Sequence, residues 1–370
     1  MTKTKARQNI LIAVLPPQID TQDERARQLF DGIMDDFIIN LSRFIGISVI
    51  SSISSRQLRS DDKKTLEQLG ADFWIISRIR DHLGKLRINI QLINARDSNL
   101  VHALQYDNHF SEILSVVDTV LEEIVHLLQQ EVNFEILSHS YSKNSDSLDA
   151  YENWLRGMEA LRTGSIEGDM EARNYFNSSL AIEPRYAKAY AGLSLSYFNE
   201  WSCRLWDRWE ESMEGAHRNA LKAVEIDERN YRALAILGRT YLFKEEFDQA
   251  EFCVRKSLRM NPNDASNMIL VAFTLMYLGY HSEAVNLYEK AVNVNPLHKE
   301  QYIPYGASFL FEMGEIEKSL ELFEQTDASS MWVDYPAYIA AAHFHLGQLD
   351  RMHELWTLFT KLFEKQVSQT

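Results

Sequence analysis

The chain has 370 residues, 45% hydrophobic and 25% charged, with only 14 glycines and 7 prolines, which is enough core for two or more domains built from long regular elements. Its net charge is −15, and residues 141–370 carry 23 Lys and Arg against 34 Asp and Glu, a poor match for a nucleic-acid backbone or an anionic lipid surface. Two cysteines, Cys203 and Cys253, exclude a disulfide scaffold and lack metal-type spacing.

The opening stretch, MTKTKARQNILIAVLPPQ, pairs a basic head with an apolar run from Ile10 to Leu15 that Pro16 and Pro17 end. That run is shorter than a secretory apolar region and far shorter than a membrane span, so it reads as a buried strand and places the chain in the cytoplasm without membrane insertion. A helix follows, with Ala26, Leu29, Phe30, Ile33, Met34, Phe37, Ile38 and Leu41 on one stripe. Gly46 breaks it, ISVIS forms a second strand, and a more polar helix near 55–69 stops at Gly70. Three strands come next with period two: Leu86, Ile88, Ile90 and Leu92 fall on one face, with Arg87, Asn89 and Gln91 on the other. His82-Leu83-Gly84 is a hairpin connection, and a closing helix carries Ile113, Val117, Val120, Leu121, Ile124 and Leu128. The expected order is βαβαβββα, a mixed sheet packed on helices.

That order, with FDGIMDDFIINLSRFIGISVISS, LGADFWIISRIR and LRINIQLINARDSNLVHALQYD, resembles the TolB amino-terminal-like (FlgO/TolB-type) domain over nearly all of residues 8–133. The resemblance implies an α/β domain without a catalytic motif. It also implies a bacterial setting, following an effector such as a class III adenylate or guanylate cyclase, a winged-helix transcription activator or a kinase, and preceding tetratricopeptide repeats.

Residues 138–149, SHSYSKNSDSLD, hold five serines and have a linker's composition. Beyond them the chain repeats. Pro262 and Pro296 stand 34 residues apart, each closing an Asn-Pro turn after a helix. Aligned on them, Leu237-Gly238-Arg239-Thr240-Tyr241 and Ala250 fall at tetratricopeptide positions, as do Ala272, Gly279, Ala284, Tyr288 and Ala291. Small residues are needed there because paired helices approach closely. SLAIEPRY and AVEIDERN mark earlier units, and GEIEKSLELFEQ and GQLDRMHELWTLF later ones. The expected fold class is α+β: residues 1–137 a mixed α/β sheet domain, 138–147 a linker, and 148–370 an all-α tetratricopeptide superhelix of about six helix pairs.

One unit departs from this spacing. NEWSCRLWDR adds ten residues between its two helices and brings Trp201, Trp206 and Trp209 within nine residues. Two readings stand side by side: extra core for lengthened helices, or a binding hot spot, where tryptophan is enriched.

The search for chemistry returns little. No Gly-x-Gly-x-x-Gly, Gly-x4-Gly-Lys-Ser/Thr, Gly-x-Ser-x-Gly or His-Glu-x-x-His occurs. Asp31, Asp35 and Asp36 cluster beside the first helix's apolar stripe and read as solvated or helix-capping. His343 and His345 are two apart on a helix and face apart, so with His353 they do not read as metal ligands. Ser51, Ser52, Ser54 and Ser55 form a serine-rich turn with no partner base. No catalytic, cofactor or metal residue is assigned.

What remains is surface. The first helix of each tetratricopeptide pair lines a concave groove. Here it offers Lys188, Ala191, Leu195 and Phe198, then Arg232, Ala235, Arg239 and Leu242, then Ser266, Ile269, Phe273 and Met276. Lys188, Phe198, Arg232, Arg239, Phe273 and Met276 are the candidate partner-binding residues, suited to a peptide or helix with acidic and apolar residues. A homodimer is among the assemblies compatible with the sequence. The expectation is a non-enzymatic regulatory or adaptor protein. A second expectation is the sensory part of a bacterial cyclase or transcription activator whose effector domain is absent from this chain. MTKTKARQ reads as a junction into the first strand and suits that second expectation.

Overall fold

The structure is a computed structural model describing residues 10–21, 24–44, 47–59, 65–66, 69–82, 85–109, 112–132, 147–163, 165–203, 208–297, 302–325 and 335–367. The chain forms two compact units. The first takes residues 1–148 with two short later segments, 260–265 and 293–297; the second takes the rest.

In the first unit, β1 (Ile10–Val14) is parallel to β3 (Ile47–Val49) on one side and β4 (Phe73–His82) on the other. Ile10, Ile12, Ala13 and Val14 are all buried, as a strand between two neighbours requires. Pro16 and Pro17 have no N–H to donate, so the strand ends there. The chain resumes as β2 (Gln18–Asp20), which pairs Gln18, Ile19 and Asp20 with Arg78, Ile79 and Arg80 of β4, a short strand the sequence reading does not contain. β5 (Lys85–Asn94) and β6 (Leu100–Asn108) complete the sheet antiparallel, in the order β3-β1-β4-β5-β6 with β2 beside β4. Leu86, Ile88, Ile90 and Leu92 are buried, as the period-two pattern predicts.

Two long helices pack together, α1 (Glu24–Leu41) and α3 (Ile113–Val132), and both bury the stripes read from sequence: Leu29, Phe30, Ile33, Met34, Phe37, Ile38 and Leu41 on α1, and Ile113, Val120, Leu121, Ile124 and Leu128 on α3. The polar helix expected near 55–69 falls partly outside the described residues. The structure shows a four-residue α2 (Ser52–Ser55), its N-terminus capped by the Ser51 side chain on the Ser54 N–H. The His82-Leu83-Gly84 connection and the expected linker also lie mainly outside the described residues.

The serine-rich turn has partners after all. Within the first unit, the Ser51 hydroxyl donates to Asn295 Oδ1, Ser54 Oγ donates to the same oxygen at 2.5 Å, and the Leu297 N–H donates to Ser54 Oγ at 3.2 Å. Asn261 Nδ2 donates to Ser42 Oγ at 3.0 Å, and Asn263 Nδ2 to the carbonyls of Ser42 and Phe44 at 3.0 and 3.3 Å. Asn261, Asn263 and Asn295 are all buried, so these bonds satisfy groups that would be costly to leave unpaired. The acidic cluster on α1 also differs from its solvated reading. Asp35 pairs with Arg56 at 2.9 Å, Arg56 also donates to the Asp31 carbonyl, and Asp36 is buried. Of the three, Asp35 turns toward the cation that the α2 region supplies, while Asp31 stays exposed.

The second unit is helical, with α4 (Leu148–Arg162) beginning at the boundary between the units. Twelve described helices form six pairs: α4 with α5 (Ile166–Ile182), α6 (Ala187–Cys203) with α7 (Trp209–Ile226), α8 (Tyr231–Phe243) with α9 (Phe247–Met260), α10 (Ala265–Tyr277) with α11 (His281–Val294), α12 (Ile303–Glu312) with α13 (Ile316–Phe323), and α14 (Tyr335–His345) with α15 (Leu349–Val367). α5 and α8 start at side-chain caps, Ser165 on the Gly168 N–H and Asn230 on the Ala233 N–H. The first helix of a pair ends in a left-handed residue at Glu245, Gly279, Gly314 and Gly347, where glycine's lack of a Cβ removes the strain at three of the four. A serine on the second helix ties three of the pairs together: Ser257 Oγ donates to the Tyr231 carbonyl at 2.7 Å, Ser179 to Ala150 at 2.8 Å and Ser319 to Ala307 at 2.8 Å.

Candidate functional site

Of the ten added residues, 199–203 continue α6, and 204–207 lie outside the described residues. The two helices that flank them are long: α6 has 17 residues and α7 has 18, against 13 and 14 for the α8–α9 pair. Trp201 therefore lies on an extra turn of α6 and is only 5% exposed. Its indole meets Phe198 at 5.6 Å, Trp209 at 5.9 Å and Phe243 at 4.8 Å, each edge to face. This corrects the hot-spot reading for Trp201: the lengthened helices need a core, and this indole fills it. Trp209 is half-buried on the same cluster, and Trp206 lies outside the described residues.

A buried ion pair holds the extension. Glu200 is 1% exposed and bonds Arg173 of α5 at 2.9 Å, while Ser212 of α7 donates to it at 3.1 Å. The Arg173 guanidinium also donates to Ser196 Oγ at 3.0 Å and lies 3.7 Å over the Tyr197 ring. The lengthened α6 is thus tied to both of its neighbouring helices.

The expected groove residues do not form one continuous surface. Phe198, Arg239 and Phe273 come together: the Arg239 guanidinium stands 3.0 Å over the Phe273 ring, with Phe243 at 5.7 Å and Phe198 at 5.9 Å. Arg239 is 7% exposed, so its charge sits beneath rings and is not presented as the sequence suggests. Lys188 stands apart, its ammonium 5.0 Å over Trp154 and 5.9 Å over Tyr151. Arg232 lies near the Tyr231 ring. Phe198 and Met276 are buried in helix packing and present no surface, because on close-packed helices the positions beside the small residues face the neighbouring pair.

Other first-helix residues carry the exposed part of this strip, and sequence reasoning missed them. Phe243 at the end of α8 is 45% exposed, and Tyr277 at the end of α10 is 41% exposed. Phe273 meets Tyr277 at 4.7 Å and Tyr305 of α12 at 6.2 Å. The Tyr277 hydroxyl lies 3.2 Å from the Tyr338 hydroxyl of α14 and 3.4 Å from Glu312 Oε1. Burial of that hydroxyl, then the neighbouring Tyr338 and Glu312, pushes its ionisation well above the ordinary phenol range, so it remains a hydrogen-bond donor. The signal was legible: Phe243 and Tyr277 occupy the same place, four residues beyond Arg239 and Phe273, in consecutive repeats.

Two further groups are structural in setting. The Cys253 thiol is buried, and burial pushes its pKa up to about 11, which removes thiolate chemistry at neutral pH. His217 Nδ1 lies 2.8 Å from Thr240 Oγ1 in a buried setting. Burial first, then Lys244, lowers its pKa, against the smaller opposing pull of Glu214 and Glu246. The folded chain therefore resists the proton that the unfolded chain accepts once pH falls below about 6.5. Stability should be unaffected above that pH and decline as pH falls through the interval below it. Melting curves at stepped pH should show a smaller acid loss for His217→Gln than for wild type; identical pH profiles would remove His217 as a source of acid sensitivity.

His343 bonds Gln348 at 2.6 Å and His345 faces Phe311 at 5.8 Å. Among the described residues no group of three His, Cys, Asp or Glu is placed to hold a metal ion, and no helix is long and apolar enough to cross a membrane.

Residues 8–127 match the family model described as the second domain of HilA/YgeH-like transcriptional regulators, and residues 231–264 and 265–296 each match the tetratricopeptide repeat. A Rhizobium meliloti (strain 1021) protein, provisionally named adenylate cyclase 3, is 26% identical over 247 residues, covering 65% of this chain and 41% of that protein. The transcriptional regulator HilA of Salmonella typhimurium is 20% identical over 291 residues, 77% of this chain and 51% of that protein. The chain thus spans about half or less of these relatives' length. Among solved structures, a thermophilic tetratricopeptide protein of Thermus thermophilus is 20% identical, covering 54% of this chain and 97% of that one, with a TM-score of 0.36.

Proposed function

We propose that this chain is a non-catalytic regulatory adaptor that holds a protein or peptide partner on the aromatic strip formed by the first helices of its repeats. The observation that carries this reading is the run of rings from Phe243 through Phe273 to Tyr277, exposed at both ends and continued by the Tyr338 hydroxyl. Exposed aromatics held by a rigid helical scaffold suit partner binding. The acidic charge of residues 141–370 argues against nucleic acid as that partner. The first unit, of TolB amino-terminal type in this reading, contributes no chemistry, and the chain acts in the cytoplasm.

The names of the relatives and the share of their length that this chain spans favour a second reading. Here the two units form the sensory portion of a nucleotide cyclase or transcription activator, and partner binding alters an effector carried elsewhere. Partner capture from native cells tests the strip in both cases. Tyr277→Ala and Phe243→Ala should each reduce recovery of the captured partner, whereas Phe252→Ala should not. Phe252 lies on a second helix, α9, and is 57% exposed. Equal recovery with the first two variants, or loss only with Phe252→Ala, would remove the strip as the site.

A further inference from the structure

We infer that β3 is a conditional strand: its seat in the sheet is held by the two ends of the α10–α11 pair, so a shift of this pair is transmitted to the sheet edge. β3 is three residues long, pairs with β1 alone among the described strands, and stands at one end of the sheet order. Its ladder has three positions, Ile10 with Ile47, Leu11 with Ser48 and Ile12 with Val49, which is short support for a strand. The supports on both sides of it come from far along the chain. α10 begins and α11 ends in the segments 260–265 and 293–297, which belong to the first unit. The pair is thus an excursion of the chain with both ends fixed in the unit that holds β3.

The two fixed ends grip opposite sides of the strand. Before it, the Asn261 amide donates to Ser42 Oγ at 3.0 Å and to the Ile39 carbonyl at 3.4 Å, and the Asn263 amide donates to the carbonyls of Ser42 and Phe44. Ile39, Ser42 and Phe44 lie at the C-terminal end of α1 or just past it, where the helix supplies no further N–H, so the two asparagines act as its cap. After the strand, the Ser51 N–H donates to the Val294 carbonyl at 2.7 Å, and the Ser51 and Ser54 hydroxyls donate to Asn295 Oδ1. The Leu297 side chain packs on the core that holds Ile50, Leu58 and Trp74. Asn261 and Asn295 are fully buried, so water cannot take over their bonds while the fold stays closed. A change in the separation between the start of α10 and the end of α11 therefore pulls on the segment between the grips, and that segment is β3. This coupling gives the regulatory reading a physical route and stands whether or not a partner occupies the aromatic strip.

The test is hydrogen–deuterium exchange of the full chain, read by mass spectrometry. Glu289 is exposed on α11, and Glu289→Gly loosens that helix without touching either grip. It should speed exchange about threefold or more in α11 and to a similar degree in residues 47–55, with β5 and β6 unchanged. Arg218→Gly, an exposed change on α7, whose pair has no end in the first unit, should leave 47–55 as in wild type. In an Asn295→Ala background, Glu289→Gly should add less than about twofold at 47–55. Circular dichroism confirms that each variant is folded. Ser51→Ala with Ser54→Ala replaces Asn295→Ala if that variant does not fold, and Ala284→Gly, on the buried face of α11, replaces Glu289→Gly if α11 itself is not loosened. Faster exchange in α11 with 47–55 unchanged would overturn the inference. So would equal acceleration of β5 and β6, which reports global opening, or an Arg218→Gly effect at 47–55 as large as that of Glu289→Gly. A full Glu289→Gly effect at 47–55 in the Asn295→Ala background would overturn the assignment of the coupling to these turns.

Discussion

Replacing Glu200 with Ala should lower the unfolding free energy by about 3–5 kcal/mol, because it leaves the Arg173 guanidinium without its carboxylate in a nearly closed interior. Glu200 is 1% exposed and Arg173 14% exposed, so water replaces the lost partner poorly. The loss should fall on the α5–α6–α7 region, since Ser212 and Ser196 belong to the same network. Urea titration followed by far-UV circular dichroism reads the change. A double variant, Arg173→Met with Glu200→Leu, should recover most of it, because removing both charges also removes their desolvation cost. If Glu200→Ala shifted the midpoint no more than an exposed pair such as Arg351–Glu354, the extension would be held by its indoles alone.

The second large effect concerns Phe176 on α5. Its side chain is fully buried between two glycines of neighbouring first helices, Gly157 on α4 and Gly192 on α6. A Cβ added at Gly157 would stand 2.4 Å from the ring, and at Gly192 2.5 Å. Phe176→Ala should cost about 3–5 kcal/mol through lost burial and the cavity left behind. Gly192→Ala should cost about 1–3 kcal/mol by overpacking. The pair should not add. In the Phe176→Ala background the new methyl enters vacant space, so Gly192→Ala becomes nearly neutral or stabilising there. Additive losses in the double-mutant cycle would mean that ring and glycine do not compete for one volume.

This arrangement recurs. A Cβ at Gly238 would stand 2.4 Å from Val254 Cγ1, one at Gly306 2.3 Å from the Tyr288 ring, and one at Gly215 2.7 Å from the Tyr197 ring. Glycines inside the helices are therefore the points where a large side chain of an adjacent helix is received, whereas Gly279 ends a helix with open space beside it. That much is local: a 34-residue spacing and a small residue beside a large one are readable without a structure. The strands and their buried faces were readable for the same reason, since alternation in Leu86, Ile88, Ile90 and Leu92 depends only on the pleat.

Other features were decided by neighbours distant in the chain. Trp201 became core because α6 and α7 grew longer and brought Phe243 against it, a contact between residues 42 positions apart in the chain. Arg239 reads as a presented charge in sequence, yet Phe273 from the next repeat covers it at 3.0 Å. The two Asn-Pro turns look like repeat punctuation, but Asn261, Asn263 and Asn295 satisfy Ser42, Phe44, Ser51 and Ser54 within the first unit. Hydrophobic periodicity states which face of an element leaves water, so the sequence by itself determined the elements, their buried faces and the repeat. It does not state which distant element covers that face, because burial is rewarded by area almost regardless of partner. Which charges are shielded, which indoles are interior and which hydroxyls find amides were therefore decided only when the tertiary structure brought those groups together.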